Sequence, residues 1–384
     1  MSGLCVEALE GPSAFAALRQ DWDGLIANGV GTVFSRWEWL FSWWSQLACG
    51  STPLLLAARD AGGSLRGLLP LVEQRPMPLG LRRWSLLGDR WVGSDGLGPI
   101  LARGFEEEAR EALAEAVVRR SSRWQLLRLA GLPAGDPWVG VLRRRLQRQA
   151  AGSRLVAGDV CPVIRLAGDP FAGNPRRETY ERRLRWLQRQ PSFRIEVARD
   201  GAELDDGLTA FLALHDRRWR GDSDAVPGSA VTRFHREAAQ LLAARGLCRV
   251  YLLWLHGHPI AAVYAFVDRR VFYYYLPAFD PAWAHRSVGT VLLGTLVEAA
   301  RAEGCERFEL LRGEEAYKHD WADARWRTVI LEAAGPSLPA RALERLERWQ
   351  RGTRALSGRV LPVEAVWLWR RTLSRLSLRT SDLG

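Results

Sequence analysis

The sequence predicts an α+β fold: mixed, mostly antiparallel sheets flanked by helices, laid down twice along the chain. Three observations carry this. Short apolar or alternating runs bounded by Gly, Asp and Pro turns recur in both halves as strands. Longer segments with apolar residues at helical spacing separate them. The order of elements in the second half repeats that of the first without evident sequence identity. At 384 residues the chain is too long for one ordinary core and suits two domains plus a tail.

Residues 13–47 read as two helices, with Trp37, Leu40, Phe41 and Trp44 on one apolar face that serves either as core or as the wall of a groove. Residues 53–59 and 65–73 read as strands joined at the Asp60-Ala61-Gly62-Gly63 turn. Strands at 83–88 and 97–101, a helix at 105–120 and a strand at 124–129 follow. Asp136 before Pro137 starts another helix, because Asp suits the cap and Pro the first turn. Residues 151–175, with several Gly and Pro around the apolar run 160–166, read as the crossing between domains. An Arg-rich helix comes next at 176–190.

The second half opens on a strand at 193–199 and helices at 203–220 and 230–245. Strands at 248–255, 259–267 and 270–277 are separated by turns at His256-Gly257 and Asp268-Arg269. A helix at 288–303 and strands at 306–311 and 326–333 close it. The expected domains are 1–155, 175–334 and a basic helical tail, 335–384. Residues 336–384 hold ten Arg against four acidic residues, more than half of the net charge of +11. With Leu343, Leu346 and Trp349 on one face, the tail either lies on an anionic membrane or packs on the body.

Composition narrows the function classes. Hydrophobic residues at 47% and charged residues at 25% argue against long disorder. Met1 to Phe15 lacks a basic start before an apolar run, and no 18-residue apolar stretch occurs, so the expected location is cytoplasmic, with the inner membrane face as a peripheral option. Cys5, Cys49, Cys161, Cys248 and Cys305 are scattered, odd in number and free of C-x-x-C pairs; buried thiols are expected, with no disulfide framework and no metal site. The positive charge favours an anionic ligand, but no nucleic-acid-binding signature accompanies it. His215 and His235 fall on separate helices, and neither a Ser-His-Asp order nor G-x-S-x-G or P-loop spacing is present.

The stretch 270–321 is the most informative. An aromatic strand, Phe272 to Tyr275, runs into an Asp-Pro turn; a loop with Arg286, Ser287 and Gly289 then enters an apolar helix directly. Unpaired N–H groups at such a helix start suit a phosphate or pyrophosphate, and Arg286 adds a bidentate donor. Lys318 is the sole lysine of the chain. Its compact ammonium is something Arg does not reproduce, so it reads as a contact to a phosphate or carboxylate, or as a surface lysine.

Arg286-Ser287-Val288-Gly289-Thr290-Val291 resembles the R/Q-x-x-G-x-G/A pyrophosphate loop of Gcn5-related N-acetyltransferases, with Val291 where that family prefers Gly or Ala. Tyr274, Phe279-Asp280, Leu292, Ala300, Gly304 and the segment Leu311-Arg312-Gly313-x-Glu315-x-Tyr317-Lys318-x-x-Trp321 come in the order of one branch. This is the BioF2-like or CelD-like acetyltransferase group, akin to the Fem aminoacyl transferases with their two tandem GNAT domains. The resemblance covers roughly 175–330, and the first half by architecture only. It implies tandem GNAT domains, the first degenerate and without a cofactor loop, and acyl-CoA (acetyl-CoA) bound on Arg286, Ser287, Gly289, Thr290 and Val291. It implies direct transfer to an amine or hydroxyl of a sugar nucleotide or polysaccharide precursor, with no metal.

Arg312, Tyr317, Lys318 and Trp321 are the expected acceptor contacts. Glu315 reads as a general base or as a partner of Arg312. Asp280 reads as a loop base or a turn residue, and Tyr274 or Tyr275 as an acid toward the leaving thiolate or as strand packing. Two rival readings stand beside this one. The first is a Fem-like transferase using charged tRNA, the sole route by which nucleic acid enters. The second is a non-catalytic scaffold of a polysaccharide-synthesis complex.

Overall fold

The computed structural model describes residues 3–48, 50–74, 82–149, 152–219 and 229–335. The tail expected at 335–384, apart from Gly335, lies outside the described residues, as does Cys49.

The first half runs β1 (Cys5–Glu10), α1 (Pro12–Asn28), the two-residue β2 (Gly29–Val30), α2 (Trp37–Leu47), β3 (Thr52–Arg59), β4 (Leu65–Gln74) and β5 (Arg83–Leu86). It continues with β6 (Ile100–Ala102), α3 (Glu106–Arg119), β7 (Leu126–Pro133), α4 (Pro137–Gln149) and β8 (Ser153–Arg165). The second half runs α5 (Arg177–Gln188), β9 (Arg194–Ala198), α6 (Gly201–Trp219), α7 (Ala230–Ala243), β10 (Cys248–Leu255), β11 (His258–Asp268) and β12 (Val271–Phe279). It ends with α8 (Val288–Ala302), β13 (Arg307–Glu309), α9 (Ala316–Trp321) and β14 (Ala324–Ala334).

Twelve of the strands form one continuous path, β1-β3-β4-β5-β7-β14-β8-β13-β12-β11-β10-β9. The path is a palindrome. β5 pairs with β7 in parallel, as β12 does with β13; every other neighbour along it is antiparallel. The repeated order of elements is therefore a pseudo-twofold repeat centred on the β8–β14 pair. At that centre the halves trade strands: β8 of the first pairs with β13 of the second, and β14 of the second with β7 of the first.

This corrects the reading of 151–175 as a crossing, since its first part is a thirteen-residue strand at the middle of the sheet. Gly158 explains the misreading. A Cβ there would sit 2.2 Å from Thr328 Oγ1, so the glycine marks a close backbone approach inside a strand. β1 and α9 were not expected either, and β13 is shorter than 306–311, because after Glu309 only single bonds from Leu310 and Gly313 to β8 continue it.

Period-two alternation sorts β12 between two apolar clusters. Phe272 and Tyr274 join α8 in one; Tyr273 and Tyr275 join Phe34 and Trp39 of the first half in the other. Trp39 also meets Phe234 of α7 edge-on at 4.8 Å, so the core is shared between the halves. Helix α8 lies against α5 because Gly294 has no Cβ; one would stand 2.5 Å from the Tyr180 ring. Cys161, Cys248 and Cys305 are buried thiols, whereas Cys5 is exposed on the edge strand β1, against expectation.

Candidate active site

Strands β12 and β13 pair only over Val271–Tyr273 and Arg307–Glu309. Beyond Tyr273 they part, and that edge of β12 has no strand partner among the described residues. A bulge opens at the same place: Tyr264 faces Leu276 while Phe266 faces Tyr273, so β12 carries one residue more than β11. A bulge re-aims side chains and loosens pairing.

A cavity of about 210 Å³ fills the opening, lined by Tyr274, Pro277 and Phe279 of β12, the Ser287–Thr290 turn, Tyr317 of α9 and Arg218 of α6. Ser287 is left-handed (φ 56°) and no side chain caps α8, so the first N–H groups of this fifteen-residue helix stand at the cavity. Gly289 leaves room there: a Cβ would meet only Phe279, at 3.6 Å.

A second cavity of about 230 Å³ lies beside it, against Tyr275, His215, Arg312, Glu315 and Lys318. The two share Arg218, Pro277 and Tyr317. Arg218 donates to the Pro277 carbonyl at 3.2 Å and lies over the Phe279 ring. Burial holds the Tyr274 and Tyr317 phenols above their ordinary range, so both stay protonated at neutral pH. Burial, helped by Arg218 and opposed by Asp216, pushes the half-buried His215 imidazole down. Behind it His235 is fully buried and pushed down to about 3, its Nδ1 without a partner, as is the buried Tyr264 hydroxyl.

The expected residues thus divide. Tyr274, Ser287, Gly289, Thr290 and Tyr317 come together at the first cavity; Arg312, Glu315, Tyr317 and Lys318 at the second. Four residues sit elsewhere. The Arg286 guanidinium stacks on Trp186 of α5, 4.2 Å from the ring centroid, and is not in the cavity wall. Val291 is buried in the core, so a Val in place of Gly or Ala crowds no ligand. Asp280 caps the short 3-10 turn that follows it, accepting from the Ala282 amide at 3.0 Å, and is held by Arg217. Trp321 packs edge-on against Phe171 and Tyr180.

Two pairings differ from the sequence reading. Glu315 pairs with Lys318 at 3.1 Å, not with Arg312. Lys318 is buried, not a surface lysine, and also donates to the Arg312 carbonyl. His215 and Arg218 were passed over, although their i, i+3 spacing on α6 puts them on one face.

The first half has a matching divergence of β5 and β7. There the gap is filled by its own chain: the Gly96 and Leu97 amides both donate to the Gly131 carbonyl, at 3.1 and 3.0 Å. Among the described residues no group of three His, Cys, Asp or Glu side chains could hold a metal ion, and no helix is long and apolar enough to cross a membrane.

Residues 174–319 match a family model described as an acetyltransferase (GNAT) domain. The stretch takes in α5 to β13 and most of α9, and so both cavities' second-half walls. FemX is similar in fold at 10% identity, with a TM-score of 0.58 over 81% of this chain and 95% of FemX. The C-terminal domain (DUF2156) of a protein described as a lysylphosphatidylglycerol synthetase from Agrobacterium fabrum is similar at 12% identity, with a TM-score of 0.53 over 86% of this chain and 95% of that one. L-PGS from Bacillus licheniformis matches at 11% identity and a TM-score of 0.53, over 82% and 90%. No curated protein sequence matches the chain. Residues 174–319 thus carry a GNAT domain, and the chain shares its fold with FemX. It is an acyltransferase.

Proposed function

We propose that the protein moves an acyl group from an acyl thioester, acetyl-CoA or a longer acyl-CoA, to an amine or hydroxyl of a sugar nucleotide or polysaccharide precursor, by direct transfer. The observation that carries this is the first cavity, where the open N-terminus of α8 and the unpaired edge of β12 face one space. Helix N–H groups favour the donor's pyrophosphate. Amides on the free strand edge are the kind of donor that stabilises an oxyanion on the acyl carbonyl. The Tyr274 hydroxyl, kept protonated by burial, offers a hydrogen bond to the departing sulfur. The acceptor enters from the second cavity and meets the acyl carbon at the shared wall of Arg218, Pro277 and Tyr317.

Calorimetry of acetyl-CoA and a long-chain acyl-CoA against wild type and Gly289→Asp tests the donor site. The cavity has space for the new side chain, and a carboxylate in the first turn of a helix does not harm it. Saturable binding that weakens at least about tenfold in the variant supports the reading, since a carboxylate there repels phosphate. Equal binding to both proteins removes it.

A second reading has a specific observation behind it: the fold is shared with FemX and the lysylphosphatidylglycerol synthetases. The donor is then an aminoacyl ester of tRNA. The same cavity would hold the 3′-terminal adenosine end, and binding of aminoacyl-tRNA in place of acyl-CoA would establish it.

A further inference from the structure

We propose that residues 340–354, in the tail outside the described residues, dock along α3 in the groove between that helix and the edge strand β1. The inference is independent of the transfer reaction.

The groove has a volume of about 1240 Å³, several times that of either cavity at the candidate site. Leu4 and Val6 of β1 and Ala112 and Ala116 of α3 are its apolar residues. β1 ends the strand path, so its outer edge has no strand partner among the described residues. The charges along α3 are ordered. Arg119 and Arg120 line the groove at the C-terminal end of the helix, and Glu107 and Glu108 at its N-terminal end. Between them Arg145 of α4 is engaged by Glu111 at 2.6 Å and by Glu115, which also pairs with Arg119 at 2.7 Å. Glu107 and Glu108 are exposed and make no ion pair among the described residues.

The tail leaves from one end of this groove. The Gly335 amide donates to the Gln125 carbonyl at 2.9 Å, and a Cβ on Gly335 would stand 3.3 Å from the carbonyl oxygen of Ser121, the residue after Arg120. The departing chain therefore starts at the positive end. Its own charges are ordered to match. Residues 336–347 hold two Arg and two Glu, Glu344 and Glu347. Residues 348–359 hold four Arg, including Arg348, Arg351 and Arg354, and no acidic residue. A chain running from Gly335 along α3 brings Glu344 and Glu347 to Arg119 and Arg120, and the later arginines to Glu108 and Glu107.

Length and pattern agree. Pro339 and Gly352 bound a helical stretch, as a starting Pro and a closing Gly do. Residues 340–351 as a helix span about 18 Å, close to the roughly 21 Å of the fourteen-residue α3. Leu343, Leu346 and Trp349 fall on one face and suit the apolar residues of the groove. Helix α5 is a precedent inside the molecule. Its Glu181-Arg182-Arg183-Leu184-Arg185-Trp186 resembles Glu344-Arg345-Leu346-Glu347-Arg348-Trp349, and its Leu184 and Trp186 pack against the cluster that holds α8. Exposed ion pairs are individually weak, but a tail tethered at the end of its own groove is present at high effective concentration. Docked there, it covers the open edge of β1 and the exposed Cys5 thiol, which lines the groove.

Alkylation of Cys5 by iodoacetamide, followed by mass spectrometry of the full chain in a Cys49→Ser background, reads this cover; Cys161, Cys248 and Cys305 are buried. Reversing the tail with Arg348→Glu, Arg351→Glu and Arg354→Glu leaves the groove itself untouched. It should speed Cys5 labelling at least about tenfold by releasing the cover. Adding Glu107→Arg and Glu108→Arg to the reversed tail should slow labelling again. Arginines near a thiol by themselves favour the reactive thiolate, so slowing can come only from the restored tail. Labelling that the tail reversal leaves unchanged, or that the combined reversal fails to slow, overturns the proposal. Sedimentation of the protein with phosphatidylglycerol vesicles, with Cys5 labelling indifferent to the tail reversal, makes the tail a membrane element and overturns it as well.

Discussion

Arg312, in the loop between β13 and α9, grips Asp95 of the first half: its Nε donates to Asp95 Oδ1 at 2.5 Å and its backbone N–H to Oδ2 at 2.8 Å. The Asp95 side chain is wholly buried, and a further guanidinium nitrogen reaches the Ser94 carbonyl. One ion pair therefore fixes the 93–96 loop against the floor of the second cavity. Removing Arg312 strands a buried carboxylate, and the expected cost of Arg312→Ala is about 3 kcal/mol. Arg312→Ala with Asp95→Asn should cost less than the two single changes summed, because the stranded charge is gone. Urea unfolding of the four proteins of this cycle checks it; additive losses would show that the pair is not a clamp.

Tyr274 tests the division of labour across β12. Its phenol lines the donor cavity and is held protonated, while its ring packs with Phe308. Tyr274→Phe keeps the ring and removes only the hydroxyl. Stability and acyl-CoA affinity should be unchanged, and kcat should fall by about 10²-fold, the usual contribution of one proton donor. A matching loss of affinity would mean that the hydroxyl binds the donor and does not assist the leaving group.

Much of this was legible from local pattern. The strands and helices of the second half announce themselves by alternation and turn residues, and the Ser287–Thr290 turn by its place between an aromatic strand and an apolar helix. What was not legible depends on partners distant in the chain. Asp95 lies 217 residues before Arg312, and nothing near either names the other. Arg286 has the right motif position, yet the Trp186 ring holds its guanidinium. Gly158 looks like a linker residue until Thr328 is brought beside it. The place of His215 and Arg218 on one wall of the second cavity was within reach, because i, i+3 spacing on a helix is a local signal; the sequence sets His215 aside because no Ser-His-Asp order accompanies it, although Asp216 is adjacent.

His235 makes stability depend on pH. Its folded value, about 3, lies below the ordinary 6.5 because burial disfavours the cation. Between these values the unfolded chain binds a proton that the folded chain does not, so stability rises with pH and falls on acidification. Fully present above about pH 6.5, this contribution is lost at about 1.4 kcal/mol per pH unit below it, roughly 2 kcal/mol by pH 5. His235→Leu removes the titrating group and the orphaned Nδ1 together. The variant should match or exceed wild type at pH 7 and show a shallower fall from pH 7 to pH 5 in urea titrations. Parallel falls would place the acid sensitivity in other groups, His215 among them.

Lys318 is the final test, because the sole lysine of an Arg-rich chain is where an ammonium is needed. Its Nζ lies between the Arg312 carbonyl and the Glu315 carboxylate, above Gly313, where even a Cβ would stand 2.6 Å from the nitrogen. A guanidinium is wider and planar, so Lys318→Arg should not fit without moving Gly313 and the Arg312 backbone. Lys318→Met fills the same path without the charge, leaves the Arg312 carbonyl unpaired, and should cost about 2 kcal/mol. Both variants should lose acyl transfer while keeping acyl-CoA affinity, since Lys318 lines only the second cavity. If Lys318→Arg is as stable and active as wild type, the site needs only a positive charge, and the compact ammonium has no special part in holding the 311–318 segment.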